Sequence, residues 1–338
     1  MSSASPIAAP GPSRVRRALL ALALLWVAVA VLAPLVGSRP LSLAALLSGD
    51  PAASAILWQL RLPRVLLALF AGGLLALSGL SLQTLFANAL AEPYTLGVAS
   101  GASLGAALVF TFAPRVPFLG LPLAALAAFA GALAATAVVI ALGRGEDSVD
   151  RGGGASLLLA GVALALLCQA AILLLQYLTD AAGTLRMVRW MMGGLAVVGY
   201  REALWLLPWL VLSVAAHAAR RWDLDLLLAG QEVAASRGVA VGRLRLGLLL
   251  VDSLAVGALV SVVGPVGFVG LMVPHMLRRL VGAEHAALVP ACVLGGGAFL
   301  ALCDAGARTA LAPAELPVGV VTALLGGPFF LWLLRHRR

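Results

Sequence analysis

Apolar runs of roughly twenty residues, the length that crosses a bilayer as a helix, recur along the whole chain between short stretches of arginine, proline and glycine. In the first half they cover residues 18–37, 65–85, 95–112, 121–142 and 156–177. In the second they cover 203–219, 246–263, a short 265–280, 286–302 and 318–334. The pattern predicts ten membrane spans in one polytopic domain over residues 18–338, preceded by a Ser-, Pro- and Ala-rich cytoplasmic tail at 1–17. An even number of spans puts both termini on one side, and arginine chooses it, because basic residues collect in cytoplasmic loops. Both termini are expected in the cytoplasm. Fifteen of the 23 arginines then fall inside and eight outside, among the latter Arg61, Arg64 and Arg308. That external share exceeds what the trend alone would leave.

Composition sharpens the class. Of 338 residues 62% are hydrophobic and 11% charged, with a mean hydropathy of +1.06; soluble domains are about 25% charged, so a water-soluble globule is excluded. The 37 glycines and the many alanines favour close helix packing over an outer-membrane barrel. Every basic residue other than histidine is arginine, which rules out a P-loop lysine on ATP phosphates. The net charge of +9 points to the anionic cytoplasmic leaflet as partner, and not to nucleic acid. Cys168, Cys292 and Cys303 sit in apolar stretches without metal or disulfide spacing and read as small core residues. The first apolar run, after Arg14, Arg16 and Arg17, is too long for a signal-peptide core and reads as a retained span.

Three irregular segments stand out against this background. The stretch Asn88-Ala-Leu-Ala-Glu-Pro-Tyr-Thr-Leu-Gly97 joins the second and third spans; its proline and polar groups suit non-helical backbone shielded from lipid, either bordering a pathway or forming an ordinary loop in which Asn88 bonds the backbone. Gly264-Pro-Val-Gly-Phe-Val-Gly-Leu-Met-Val-Pro-His275 predicts a short, irregular eighth helix. The cytoplasmic stretch 220–245 presents small residues, Gly230, Ala234 and Ala235 among them, that suit two short helices entering a partner's cleft, with Gly238 as a C-cap. Gly73 to Gly79 weakly echoes Gly257 to Gly264, as an inverted repeat or as shared small-residue packing. Asp252 is the one acid well inside a span, either a proton carrier or a group paired with an arginine such as Arg245 or kept protonated. No hydrolytic or metalloenzyme constellation occurs, so an enzyme is not indicated.

At these segments the sequence resembles the permease subunits of binding-protein-dependent ABC importers for ferric siderophores, haem and cobalamin. The resemblance covers nearly the whole chain. It rests on Arg61-Leu-Pro-Arg64, residues 79–83, Asn88 to Gly97, Leu157-Leu-Leu-Ala-Gly-Val-Ala163, residues 226–241, Gly267-Phe-Val-Gly-Leu-Met-Val-Pro-His275, Glu315-Leu-Pro-Val-Gly319 and 328–330. It implies an all-α inner-membrane protein of about ten transmembrane helices, with the type II ABC importer architecture of short and broken helices. It further implies a homodimer with the path on its two-fold axis, two cytoplasmic ABC ATPase subunits, and a periplasmic or lipid-anchored binding protein. ATP and Mg belong to the partner ATPase, and this chain binds no cofactor. The resemblance assigns binding-protein docking to Arg61, Arg64 and Arg308, a gate to Asn88 and Leu90, and a second gate to Gly154 and Ala155. It assigns ATPase coupling to the segment around Gly230, Glu232, Ala234 and Gly238. Family members usually have proline after the gate asparagine, where this chain has Ala89.

Arg61 and Arg64 flank Pro63, a residue favoured at the first helical position, and the sequence therefore places them at the positive end of a helix dipole, where two cations need anionic partners. For Arg308, Asp304 one turn earlier is a competing intrahelical partner. The competing class of transporter, ion-coupled and secondary, needs mid-membrane carboxylates that Asp252 alone does not supply. Which chelate is carried is not written in the apolar and small residues of the spans.

Overall fold

The computed structural model describes residues 11–38, 44, 46, 48–112, 117–118, 121–142 and 154–335. Helix α1, Pro12–Leu32, ends in a 3-10 turn, Ala33–Leu35. Next come α2, Pro51–Leu85, α3, Val98–Phe112, and α4, Leu123–Leu142. A two-residue antiparallel pair, Pro117–Phe118 with Leu121–Pro122, precedes α4. Then follow α5, Gly154–Leu178, the short α6, Ala181–Met191, and α7, Arg201–Ala219. Two further short helices, α8, Arg221–Leu228, and α9, Gln231–Ser236, lead to α10, Val241–Val263. The chain closes with α11, Val269–Val281, α12, His285–Thr309, and α13, Val318–Arg335.

Each of the ten expected spans corresponds to one helix, from α1 to α5, then α7, and from α10 to α13. Among the described residues seven helices are long and apolar enough to cross a membrane, and α3 and α13 are shorter apolar ones. The expected irregular eighth span is α11, only 13 residues long. Residues 1–10 lie outside the description, and α1 begins at Pro12, so Arg14, Arg16 and Arg17 of the expected tail stand in its opening turns.

The start of the second span differs from expectation, for a backbone reason. The helix begins at Pro51, capped by the Asp50 carboxylate, which accepts from the Ala52 N–H at 3.1 Å. It then widens into a π-helical stretch, Ile56–Arg61. Pro63 has no N–H to offer the Gln59 carbonyl four residues back. The Gly199 N–H takes that carbonyl instead, at 2.7 Å. Arg61 and Arg64 are therefore inside a continuous helix and not at the positive end of its dipole, where the sequence places them.

Helix α2 is the axis of the fold: almost every residue from Val65 to Leu85 is buried. Its partners approach too closely for side chains. A Cβ at Gly72 would collide with the Gly296 carbonyl of α12, and one at Gly79 with the Gly270 carbonyl of α11. The same device joins α3 to α4 through Gly101 and Gly131. Lipid hydrocarbon offers no hydrophobic drive for association, so close backbone contact through small residues supplies the attraction. The glycines of the internal echo serve this packing, with Gly79 on Gly270 and Gly257 beside Phe129 and Ala132. The three cysteines are buried and free. By contrast α5 leaves Leu159, Leu166, Leu167, Leu173, Leu174 and Leu178 exposed, a face for lipid or another chain.

Candidate functional site

Two of the irregular segments meet. Helix α2 ends in a Schellman motif: the Asn88 N–H donates to the Gln83 carbonyl at 3.1 Å and the Ala87 N–H to that of Thr84 at 3.2 Å. Ala87 accordingly adopts a left-handed φ of 47°, at a position where glycine is usual. The Asn88 side chain folds into an Asx turn, its Oδ1 accepting from the Leu90 N–H at 3.0 Å. Asn88 and Leu90 are half-buried. The chain then runs through a 3-10 turn, Pro93–Leu96, that reaches the break between α10 and α11. There the Glu92 carboxylate accepts from the Phe268 N–H at 3.2 Å, and the Tyr94 hydroxyl accepts from the Val266 N–H at 2.7 Å. The unwound backbone of one segment is thus satisfied by side chains of the other, as non-helical chain at membrane depth requires.

The end of α2 is fixed to the same break from the other side. Gln83, buried, donates from Nε2 to the Gly270 and Leu271 carbonyls at 3.1 and 3.3 Å, and its Oε1 accepts from Arg278 at 2.7 Å. Glu92, Tyr94, Gln83 and Arg278 were not singled out from the sequence. The available signal was the placing of a carboxylate and a phenol in a proline-containing turn between two apolar spans, where each needs a partner. Gly97 packs against α5, where a Cβ would lie 3.3 Å from the Gly161 carbonyl. Gly154 and Ala155 open α5, and their surroundings lie outside the described residues.

In the first half of α2, away from Asn88, Arg61 and Arg64 meet Arg308, but facing inward. Arg64 grips Asp304 with Nε at 3.0 and 3.1 Å and Nη2 at 2.9 Å, and donates from Nη1 to Glu315 at 2.6 Å. Arg308 reaches the second Asp304 oxygen at 3.0 Å and donates to the Val36 and Ala33 carbonyls at 2.6 and 3.2 Å. Arg61 donates to the Leu35 and Pro34 carbonyls at 3.0 and 3.3 Å, across the face of Gly37. Asp304 is fully buried, and Arg64 keeps 12% of its side chain exposed. The intrahelical Asp304–Arg308 pair is the one the sequence offered; the bidentate Arg64 is the addition. Glu315, on the loop before α13, is the most open member. Burial pushes its carboxyl up, but the hydrogen bond and charge of Arg64 outweigh this and hold it below its ordinary value.

At the end of the bundle away from Arg61 and Arg64, α8 and α9 are the two short helices expected between residues 220 and 245. Gly230 separates them with φ 125°, and Gly238 follows α9 with φ 86°; both angles demand glycine, and no atom crowds a Cβ at Gly238. Glu232, Val233, Ala235 and Ser236 are exposed, whereas Ala234 is fully buried and serves the segment's own packing. Asp225 of α8 is held by the start of α12, accepting from the His285 backbone N–H at 2.9 Å and facing its Nδ1 at 2.6 Å. The other ring nitrogen of His285 lies 3.1 Å from Thr84 Oγ1. One chain of contacts therefore runs from α8 to the last turn of α2, four residues before Asn88.

Residues 19–336 match the family model described as the FecCD transport family. The hemin transport system permease protein HmuU of Yersinia pestis is 42% identical over 290 residues, covering 83% of each chain. The vitamin B12 import system permease protein BtuC of Escherichia coli O157:H7 is 39% identical over 286 residues, covering 84% of this chain and 85% of that one. A solved structure of a metal-chelate type ABC transporter in an inward-facing conformation superposes with a TM-score of 0.82 at 31% identity, covering 95% of this chain and 99% of the other.

Proposed function

The chain belongs to the FecCD transport family, and from that premise we propose that it is the membrane-spanning permease of an ATP-driven importer for a metal chelate of the haem, cobalamin or ferric-siderophore class. The observation that carries the reading is the junction of the Asn88 to Gly97 turn with the break at residues 264–268, held by Glu92 and Tyr94. Irregular backbone satisfied by side chains in mid-bundle is what a path through the membrane needs along its wall. In this reading Asn88 and Leu90 border the path, with Gly154 and Ala155 at a second constriction. Two copies of the chain share the path on a two-fold axis. ATP and Mg stay on a pair of cytoplasmic ABC ATPases that dock on α9 and its flanking glycines. The chain itself performs no catalysis and holds no cofactor.

A binding protein delivers the chelate to the end of the bundle that carries Arg61, Arg64 and Arg308, with Glu315 and the edge of Arg64 its accessible part. Both termini are on the ATPase side. Alternating access follows when ATP closure moves the docked segment and with it the lining helices. The test is uptake by proteoliposomes holding permease, ATPase and binding protein, supplied in turn with haem, cobalamin and a ferric siderophore. ATP-dependent accumulation of one of them is expected; accumulation driven by an ion gradient without ATP would overturn the reading. Cysteines at Asn88 and Leu90 are expected to crosslink between copies in a nucleotide-dependent way, and failure in every nucleotide state would remove them from the axis.

A further inference from the structure

Beneath the end of the bundle that carries α8, the helices α2, α7 and α10 enclose a second polar cluster. His217 of α7 is fully buried, and its Nδ1 lies 2.7 Å from the Ser213 carbonyl oxygen. A carbonyl can only accept, so Nδ1 carries a hydrogen. The opposite ring nitrogen, Nε2, faces Asp252 Oδ1 of α10 at 3.6 Å, and Asp252 is itself buried. The hydroxyls of Ser78 and Ser81 on α2 border the same carboxylate. Among the described residues His217 Nε2 and both Asp252 oxygens make no hydrogen bond of full geometry, and the Ser78 and Ser81 hydroxyls are the only donors beside the carboxylate.

These positions point to one shared proton. With Nδ1 protonated, a neutral imidazole turns the bare lone pair of Nε2 toward Asp252, and an ionised carboxylate there would set acceptor against acceptor, with only the Ser78 and Ser81 hydroxyls beside it to donate. One proton removes the conflict: on Nε2 it makes an imidazolium beside a carboxylate, and on Asp252 it makes an acid that can donate to Nε2. Both forms are neutral as a pair, which suits the low dielectric around them.

The neighbouring charges are engaged elsewhere. On α10, Arg245 lies two turns away with Nη2 on the Leu85 carbonyl. From α12, His285 meets Asp225 of α8 and Thr84, and Asp304 and Arg308 belong to the far network. Asp223 of α8 pairs with Arg220, and Arg278 of α11 is on Gln83. Glu92 and Tyr94 serve Phe268 and Val266. Arg61 and Arg64 lie in the first half of α2, and Arg201 and Glu202 at the start of α7, each several turns from the cluster. Helices α3 and α4 carry no titratable side chain at all.

We propose that His217 and Asp252 form a proton-binding site in the interior of the bundle, holding one resident proton at neutral pH that is needed to keep α7 packed on α10.

The full-length chain in nanodiscs tests this in two ways. With 15N-labelled histidine, assigned by the signal that His217→Gln removes, and with the infrared band of a protonated carboxyl, assigned by Asp252→Asn, the site is expected at about pH 7 to show a doubly protonated His217 or a protonated Asp252. A singly protonated His217 together with no carboxyl band sensitive to Asp252→Asn would overturn the proposal. The second measurement is the thermal midpoint from about pH 7 to 9.5, a window kept sparse of other titrations by the absence of lysine. The wild-type midpoint is expected to shift downward across it. Asp252→Asn, whose amide N–H can donate to Nε2 at any pH, is expected to shift much less. Equal shifts in the two proteins would remove the packing role, and this comparison stands even if His217→Gln does not fold.

Discussion

Asp304 shows how much one side chain can carry. It is fully buried, and it faces two guanidinium groups, Arg64 from α2 and Arg308 from its own helix. Replacing it with alanine leaves two cations packed together beside the ring of backbone carbonyls from Ala33 to Val36, and losing one partner of a buried ion network costs on the order of 3–5 kcal/mol. Asp304→Ala is therefore expected to lower the thermal midpoint of the detergent-purified chain sharply, while Arg308→Lys, which keeps a cation on a single donor nitrogen, lowers it less. Similar midpoints for the two variants would show that the network is not load-sharing through Asp304. The spacing of Asp304 and Arg308 along one helix face is visible in the sequence. The reach of Arg64 across 240 positions is not, because it depends on α2 and α12 crossing at Gly72 and Gly296.

Glu315 closes that network at its open side, and its titration gives a pH test. Its folded-state carboxyl lies below the ordinary value because Arg64 outweighs burial. A depressed acid stabilises the fold above its unfolded pKa, about 4.3 for a glutamate, and that contribution disappears as pH falls through the lower folded value. Glu315→Gln is thus expected to melt slightly below the wild type at about pH 7, since a partly exposed ion pair contributes roughly 0–1 kcal/mol. The gap is expected to close below about pH 4. A gap that widened on acidification would contradict the sign.

At the scale of elements, the hydrophobic runs each yielded a helix, seven of them long and apolar enough to cross a membrane, because such a helix needs little more than length and apolarity. The two irregular segments were equally visible, since Pro93, Pro265 and the surrounding glycines cannot continue a regular helix. The early start of α2 was not visible. Residues 51–61 mix Ser, Trp, Gln and Arg among the apolar ones, and their π-helical form depends on a Gly199 N–H that arrives from the loop before α7. Nor could spacing show that the turn and the break join. That junction makes a specific demand on Tyr94: Tyr94→Phe leaves the Val266 N–H buried without an acceptor, at a cost of about 1–3 kcal/mol. The expected results are a lower midpoint and faster hydrogen exchange confined to residues 264–268. Glu92→Gln keeps an acceptor for Phe268 and is expected to change exchange there far less than Glu92→Leu. Equal exchange in Tyr94→Phe and wild type would place the support of the break elsewhere.

For the molecule as a whole, the question is how a segment at one edge reaches the turn proposed to line the path. The Asp225, His285 and Thr84 contacts form a physical link between α8, α12 and the last turn of α2. Thr84→Val keeps the side-chain volume, touches neither α9 nor Asn88, and breaks the link in the middle. A static chain of contacts is not yet coupling, so the measurement has to be an energetic one. In the reconstituted transporter, Thr84→Val is expected to leave ATPase binding and hydrolysis near wild type while chelate moved per ATP falls several-fold. Asp225→Ala is expected to act through the same route, so the double variant loses little more than either single one, the non-additivity that marks residues of one unit. Ala235→Trp is the comparison: it adds bulk on the exposed side of α9 at an ordinary helical position, unlike Gly230, whose φ of 125° would strain any side chain. It is expected to weaken ATPase binding itself and to add fully to Thr84→Val. If Thr84→Val and Asp225→Ala were additive, or the ratio of chelate to ATP unchanged, movement of the docked segment would have to reach the turn through the Gly79 and Gly270 contact of α2 with α11 instead.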